Sequence, residues 1–469
     1  MKLSANTRMP VWTRHESRAS RRIAGRPHQK SVKRVLIVSP RFAPSNAADS
    51  HRVRQSLPYY REAGWEPVVL AVEPEEVAAP QDPLLLDTFP DDIEVVRVGA
   101  VPRNWTERVG IGNLEARAFW PLARAGSRLL RERAFDMVFF STTAMAFAAL
   151  GPYWKKRFGV PFVLDFQDPW LSDYYHRPGA PSPPGGAAKY GLVQFGAKRL
   201  EPYVLRHAAH ALSVSPAYPD MLQERYSWLE PDRFTVLPFG ASGHDLEVLR
   251  TARVANPFFD AADGLEHWAY VGRAGGDMAP ALNGLFQALA AARRTNPARY
   301  DRVRLHFLGT SYAEGDRAEK SVEPIAAQHG VSDLVRERPH RIPYFQTLQV
   351  LMDADALVLP GSDDPAYTAS KLYPYIQARR PLLAVFHESS SVVDVIRRTR
   401  AGVVVPFASD EPSAELSQRL LRAWFDHPLP PVETDWDKFQ LHTARHMTSS
   451  IADVFDSALC RNADFDFAL

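Results

Sequence analysis

Short apolar runs rich in β-branched residues alternate along this chain with longer stretches whose apolar positions recur at helical spacing. "RVLIVSP", Arg34–Pro40, reads as a strand buried on both faces of a parallel sheet. The polar turn "RFAPSNAADS" follows it. "SHRVRQSLPYYREAGW" then predicts a helix interrupted or shifted by Pro58, and "EPVVLAV" predicts the next strand. Strand, turn, helix and strand make a βαβ unit. The alternation continues through the strands "IEVVRV", "DMVFFST", "PFVLDFQDPW", "AHALSVSP" and "FTVLPFG". Across Ala241–Glu266 the periodicity fades, which predicts a connection between domains. A second series begins at "HWAYVGRAGG" and runs through "VRLHFLGT", "LVRERPHR", "ALVLPGS" and "PLLAVF".

Two such series predict an α/β protein made of two Rossmann-like, doubly wound domains facing each other across a cleft. The expected divisions are a basic tail at 1–32, a first domain at 33–245, a second at 246–425, and C-terminal helices at 426–469 that cross back to the first domain. A ligand belongs at the carboxyl ends of the strands, in the crevice. The "PGAPSPPGG" loop, Pro178–Gly186, is either a flexible surface loop or a wall of that crevice.

Composition narrows the partners. The 469 residues carry a net charge of +2, which gives no bulk field for nucleic acid. Cys460 is the single cysteine, so no disulfide framework or cysteine-based metal site can form within the chain, as suits a reducing, cytoplasmic compartment. No apolar run is long enough to span a bilayer. The arginine-rich segment before Arg34 reads as a disordered tail or as a basic arm on an anionic membrane surface.

The candidate chemistry sits after particular strands. "YVGRAGGD", Tyr270–Asp277, places Gly272, Gly275, Gly276 and Arg273 directly after a strand, where glycines let a ligand approach the backbone and arginine can grip phosphate. In "SKLYPYIQARRP", Pro374 restricts where a helix can begin, so Ser370 is expected to cap it and Lys371 to charge its mouth. Two cationic turns on neighbouring strand ends suit a diphosphate. In the first series, Asp168 in "DFQDPW" can orient a sugar hydroxyl or take a proton, or simply form a turn before proline. His51 is the second candidate catalytic group, although a lone histidine on a helix face is more often bonded to backbone. No HExxH, Walker or GxSxG motif is present, and no metal or cofactor is expected. The turn after the first strand has no glycine, which speaks against a dinucleotide oxidoreductase.

In order and spacing, "VLIVSPRFAPSNAADSHRV", "PFVLDFQDPW", "YVGRAGGDMAPALNGLFQAL", "HRIPYFQTLQVLMDADALVLP" and "SKLYPYIQARRPLLAVF" resemble the glycosyltransferases of the GT-B fold. The likeness is to the large retaining family, family 4-like, that includes bacterial polysaccharide enzymes. The resemblance implies a nucleotide-sugar donor on the second domain and a glycan or lipid-linked acceptor on the first. It implies Arg273 and Lys371 as diphosphate contacts, with Ser45 and Asn46 of the "SNAAD" turn near the donor. Two departures stand out. The family often has lysine a few residues after the arginine, where this chain has Asp277 and Met278. It usually has glutamate where this chain has Pro374, and Glu388 is the expected substitute for holding ribose. Exopolysaccharide or surface-glycan synthesis is the implied setting, with peripheral contact with the inner membrane. The alternatives are a non-catalytic scaffold and a nucleotide-sugar epimerase.

Overall fold

The computed structural model of the chain describes residues 32–106, 112–171, 187–311, 313, 317–364, 367 and 369–466. The basic tail and the Pro178–Gly186 loop lie outside the described residues.

Two wholly parallel sheets organise the rest. The first contains β1 (Lys33–Val38), β2 (Trp65–Val72), β3 (Glu94–Val98), β4 (Met137–Ser141), β5 (Phe162–Phe166), β6 (His210–Ser213) and β7 (Phe234–Val236), in the order β3-β2-β1-β4-β5-β6-β7. The second contains β8 (Glu266–Val271), β9 (Val303–Leu308), β10 (Val335–Arg338), β11 (Ala356–Pro360), β12 (Leu382–His387) and β13 (Val403–Phe407), in the order β10-β9-β8-β11-β12-β13. Central strands such as β1, β4 and β12 are buried on both faces, which is why they read as continuous apolar runs. In each sheet the winding reverses once, between β1 and β4 and between β8 and β11. Those reversals are the topological switch points where an α/β sheet opens a crevice.

Each sheet has its own core. Trp268, Tyr270, Leu285, Phe286 and Phe307 pack within the second. The first sheet has a core on each face. On one face Leu70, Leu122, Trp154 and Phe162 are buried together. On the other, Val35, Ile37 and Trp65 pack with Met447, Ile451 and Phe455 of the terminal helix Ala444–Asp466. The chain reaches that helix by a close backbone crossing. Ala241 bridges Thr443, and any side chain at Gly240 would collide with the backbone of Ala444.

Two sequence expectations change and one holds. The fading stretch Ala241–Glu266 contains a helix, Gly243–Ala252, capped by Ser242, whose hydroxyl accepts from the amide of Asp245. Its apolar stripe is short because buried Asp245 occupies part of the inward face. The helix after Asp49 is interrupted as expected: it runs over Ser50–Ser56, and Pro58 lies inside the 3-10 turn that follows. The expected terminal helix pair is a single turn, Trp436–Phe439, followed by one long helix.

Candidate active site

The switch point of the second sheet brings Arg273 and Lys371 together. Arg273 follows β8 and Lys371 follows β11, and these strands are neighbours. Tyr270, the penultimate residue of β8, joins them: its hydroxyl accepts from Lys371 Nζ at 2.8 Å and donates to the carbonyl of Arg273. The ammonium also lies 4.9 Å from the centre of the Tyr270 ring, within cation–π range. Gly272 makes this nook. Its φ of +146° strains any other residue, and a side chain there would collide with Lys371 Nζ.

Arg273 is held from the other side. Its two terminal nitrogens donate to the two oxygens of Asp277 at 2.7 and 2.6 Å. The pair closes over Gly275, where a side chain would strike both partners. Gly276 opens the 3-10 turn Gly276–Met278, and its α-carbon faces open space. The position where the family often has a cation therefore stands next to a carboxylate that spans the guanidinium. Burial works to raise the Asp277 pKa, but the hydrogen bonds from Arg273 and Ser362 hold it below the ordinary value. Lys371 shows the reverse. Burial first, and Arg273 second, push its pKa down to about 7 against the opposing pull of Asp277.

The helix after Lys371 departs from expectation. It spans Leu372–Gln377, and the residue preceding its first turn is Lys371, in an αR conformation without a side-chain cap. Ser370 lies one residue earlier, exposed, and does not cap. Six residues make a weak dipole, so the charge of Lys371 rather than a helix mouth supplies the attraction for an anion. Glu388 is exposed at the tip of β12, where its amide bonds the Phe407 carbonyl.

The first domain contributes an acidic rim. Asp168 follows β5 and faces solvent, yet the surrounding protein and the nearby Asp49 carboxylate raise its pKa more than Arg41 lowers it. Tyr218 lies within electrostatic reach of both Asp168 and Asp364 of the second domain, and burial with these two carboxylates pushes its pKa up to about 12. The acidic segment Gly361–Asp364 thus faces the first domain. It also adjoins the cationic nook, since the amide of Asp363 donates to the Asp277 carbonyl at 2.8 Å.

The remaining candidates are held inside the first domain. Ser45 and Asn46 are buried, with the Asn46 amide bonded to the Pro80 carbonyl at 2.8 Å and Ser45 bridged to Gln81. His51 packs 4.9 Å from Tyr344, and its Nδ1 accepts from Arg54 at 3.1 Å, because a guanidinium can only donate. Burial, then Arg54, push its pKa down to about 3. The nitrogen that would take a proton is already occupied, so the geometry gives His51 no role as a general base. It belongs to a buried cluster in which Asp245 accepts from Arg54, Nη2 at 2.9 Å, and from the Tyr344 hydroxyl at 2.5 Å. Tyr344 comes from the second domain, so this cluster ties the domains together.

Tyr270, Tyr218 and Asp364 were given no role from the sequence, and Asp277 was read only as a departure from the family's usual lysine. Asp277 and Tyr270 lay inside the quoted glycine turn, and their signal was adjacency to Arg273. Tyr218 and Asp364 carried no local signal, because they meet only through the tertiary fold.

Residues 50–240 match the family described as glycosyl transferase 4-like domain. No curated protein matches the chain. Among solved structures, an α,α-trehalose 6-phosphate synthase from Burkholderia multivorans has a TM-score of 0.57 at 12% identity, covering 92% of this chain and 98% of that one. A trehalose-6-phosphate structure from E. coli, bound with UDP-2-fluoro glucose, has a TM-score of 0.55 at 12% identity, covering 90% and 99%. A glycosyltransferase from Rickettsia africae ESF-5 has a TM-score of 0.51 at 12% identity, covering 93% and 98%. At these identities the likeness is one of fold. The fold is GT-B, and the domain match agrees with the resemblance to family 4-like glycosyltransferases.

Proposed function

We propose that the chain transfers a sugar from a nucleoside-diphosphate donor to an acceptor hydroxyl. The observation that carries this reading is the meeting of Lys371 and Arg273 around Tyr270, at the switch point of the second sheet. The glycosyl transferase 4-like match and the UDP-sugar held by a protein of the same fold support it. The donor's two phosphates lie against Lys371 and the outer edge of Arg273. During transfer the bond from the sugar's anomeric carbon to the phosphate oxygen breaks, and a bond to the acceptor oxygen forms on the same face. The acceptor's proton passes to the departing phosphate. Lys371 and Arg273 stabilise the charge that accumulates there, which is the largest electrostatic contribution open to this site. Asp168 and Tyr218, on the facing domain, orient the acceptor hydroxyl. Retention, a role in exopolysaccharide or surface-glycan synthesis, and a glycan or lipid-linked acceptor at the cytoplasmic face of the inner membrane complete the reading.

Two features favour a second reading, a non-catalytic scaffold. Asp277 already supplies Arg273 with an anion, and Pro374 stands where the ribose-binding carboxylate of the family is usual. A panel of nucleotide sugars examined by calorimetry separates the two. Binding that is lost in Lys371→Met, with nucleoside diphosphate released only when acceptor is added, supports transfer. Failure of every nucleotide sugar to bind overturns it. Release without acceptor points to an epimerase or hydrolase instead.

A further inference from the structure

The face of the first domain formed by the helices Leu114–Glu132 and Leu150–Phe158 has a composition that the cleft does not use. Leu122, Ala125 and Leu129 of the longer helix are buried against the sheet. Its outer side carries Trp120, Arg124, Arg128 and Arg131, at spacings of four, four and three, so all four lie on one stripe about 16 Å long. The helices pack closely because the Trp154 indole fills the space where Gly126 has no side chain. Between and beside them runs an open groove of about 1240 Å³, lined by Trp120, Tyr153 and the three arginines, with Glu132 the only carboxylate among its described lining residues.

Two observations show that this face is unpartnered. Trp120 is 76% exposed and Tyr153 52% exposed, although both rings are large enough to dominate a core. The neighbouring arginines are in ion pairs, Arg117 with Glu76 and Arg133 with Glu94, whereas no salt bridge among the described residues reaches Arg124, Arg128 or Arg131. Lys156 and Arg157 extend the exposed positive charge onto the second helix. The face thus combines projecting aromatic rings with a row of cations and almost no acid.

From this pairing we propose that the face docks on an anionic phospholipid surface, with Trp120 and Tyr153 entering the headgroup layer and Arg124, Arg128 and Arg131 against lipid phosphates. Charge complementarity selects the occupant. A pocket for a soluble anion would enclose its aromatic walls, whereas here the indole projects into solvent. A protein interface tends to lose charge from its centre, and here the charges flank the aromatic residues along the whole stripe. Amphipathic rings at the headgroup level beside lysine and arginine are the pattern of an interfacial helix. No helix among the described residues is long and apolar enough to cross a membrane, so attachment of this face is peripheral. The basic segment before Arg34, the surface the sequence offered for a membrane contact, lies outside the described residues, and the proposal concerns a different surface. The proposal does not depend on the reaction assigned to the cleft.

The test is co-sedimentation of the full chain with vesicles of phosphatidylcholine, with and without phosphatidylglycerol, at physiological salt. The chain is expected to bind only the phosphatidylglycerol vesicles. Each arginine near an anionic leaflet contributes about five-fold, so the triple variant Arg124→Glu, Arg128→Glu, Arg131→Glu loses about 100-fold or more. All three side chains are exposed, so the variant keeps its melting temperature, which serves as the folding control. Insertion is read separately with brominated phosphatidylglycerol. The lipid quenches tryptophan emission of the wild type, and Trp120→Phe removes most of that quenching while binding persists. Wild-type failure to bind, triple-variant binding equal to wild type, or quenching unchanged by Trp120→Phe each overturns the assignment. Equal binding would move the contact to the basic N-terminal segment or another surface.

Discussion

The two switch points of this molecule are built on the same topology and carry opposite electrostatic designs. At the β1/β4 reversal the protein pairs its own carboxylates, although Asp165 Oδ1 is left buried without a hydrogen bond. Asp49 Oδ2 accepts from the Thr142 hydroxyl at 2.9 Å and the Thr143 amide at 3.0 Å, and it pairs with Arg41. On β5, one strand further, Asp165 accepts from Ser141 and Gln167, both at 2.7 Å, and lies 2.9 Å from the fully buried Arg52. At the β8/β11 reversal two cations share one carboxylate, and Lys371 is crowded enough that its pKa falls to about 7. A buried cation crowded in this way marks a candidate functional site, and under the proposed function it is where the donor's diphosphate binds. Identical winding therefore does not imply identical electrostatics: at the first reversal the carboxylates are paired within the protein, whereas at the second the cations outnumber the carboxylate between them, which is what the proposed function requires.

The largest effect should come from breaking the closed network. Asp165→Ala leaves the Arg52 guanidinium buried beside no carboxylate, which costs about 3–5 kcal/mol and lowers the denaturation midpoint in urea. The double change Arg52→Met with Asp165→Leu removes both charges and is expected to recover most of that loss. A single variant as stable as wild type would show that the first reversal is not closed by its own charges.

Lys371→Met should do the opposite at the second reversal. Nucleotide-sugar affinity falls about 100-fold, as expected for losing a charged contact of roughly 2–3 kcal/mol. Without ligand, the variant should be more stable than wild type. The sign follows from the pKa. Lys371 is depressed in the folded state, so between about pH 7 and 10.5 the unfolded chain binds the extra proton, and wild-type stability rises with pH across that window relative to the variant. The advantage of methionine is thus greatest below pH 7 and shrinks above it. Thermal melts at several pH values measure it. A Met variant that is less stable at low pH would mean Lys371 is a structural residue.

The contrast was only half visible in the sequence. The parallel strands were legible because burial on both faces leaves uninterrupted runs such as "VLIV" and "LLAVF". The meeting of "GR" and "SK" was legible because each follows a strand, and parallel winding sends strand ends to one edge. The pairing of Asp277 with Arg273 was not, because it depends on a 3-10 turn curling across Gly275. Ser370 was misplaced by one residue because Lys371 adopts helical angles without joining the helix. His51 gave no sign of its buried partners, since Asp245 and Tyr344 are distant in sequence and Tyr344 reaches it only when the domains meet. Helix Gly243–Ala252 was hidden because it buries an acid as well as Val248 and Leu249.

A smaller effect is the pH dependence of binding. An ammonium with a pKa of about 7 is mostly charged at about pH 6 and mostly neutral at about pH 8, so affinity for a nucleotide sugar should fall roughly tenfold across that interval. The sugar-linked diphosphate does not titrate there, which makes it a better probe than the free nucleotide. Lys371→Met should bind weakly at both pH values, without the slope. A wild-type slope that survives in the variant would assign the titration to another group.

The smallest expected change tests the shared carboxylate directly. Asp277→Asn keeps the shape of the turn but removes the anion that holds Arg273, so the guanidinium can turn both donors to phosphate. At about pH 6, where Lys371 is charged, affinity should rise about five- to tenfold, the value of one charge-assisted contact. At about pH 8 the gain should vanish or reverse. Asp277 is the group that raises the pKa of Lys371, and without it the lysine gives up its proton at still lower pH. The variant therefore steepens the pH dependence and shifts its midpoint downward, and calorimetry at the two pH values reads both effects. If Asp277→Asn binds less tightly at the lower pH as well, the carboxylate positions Arg273 for the ligand instead of competing with it. The second reversal would then resemble the first, a network completed by the protein before any ligand arrives.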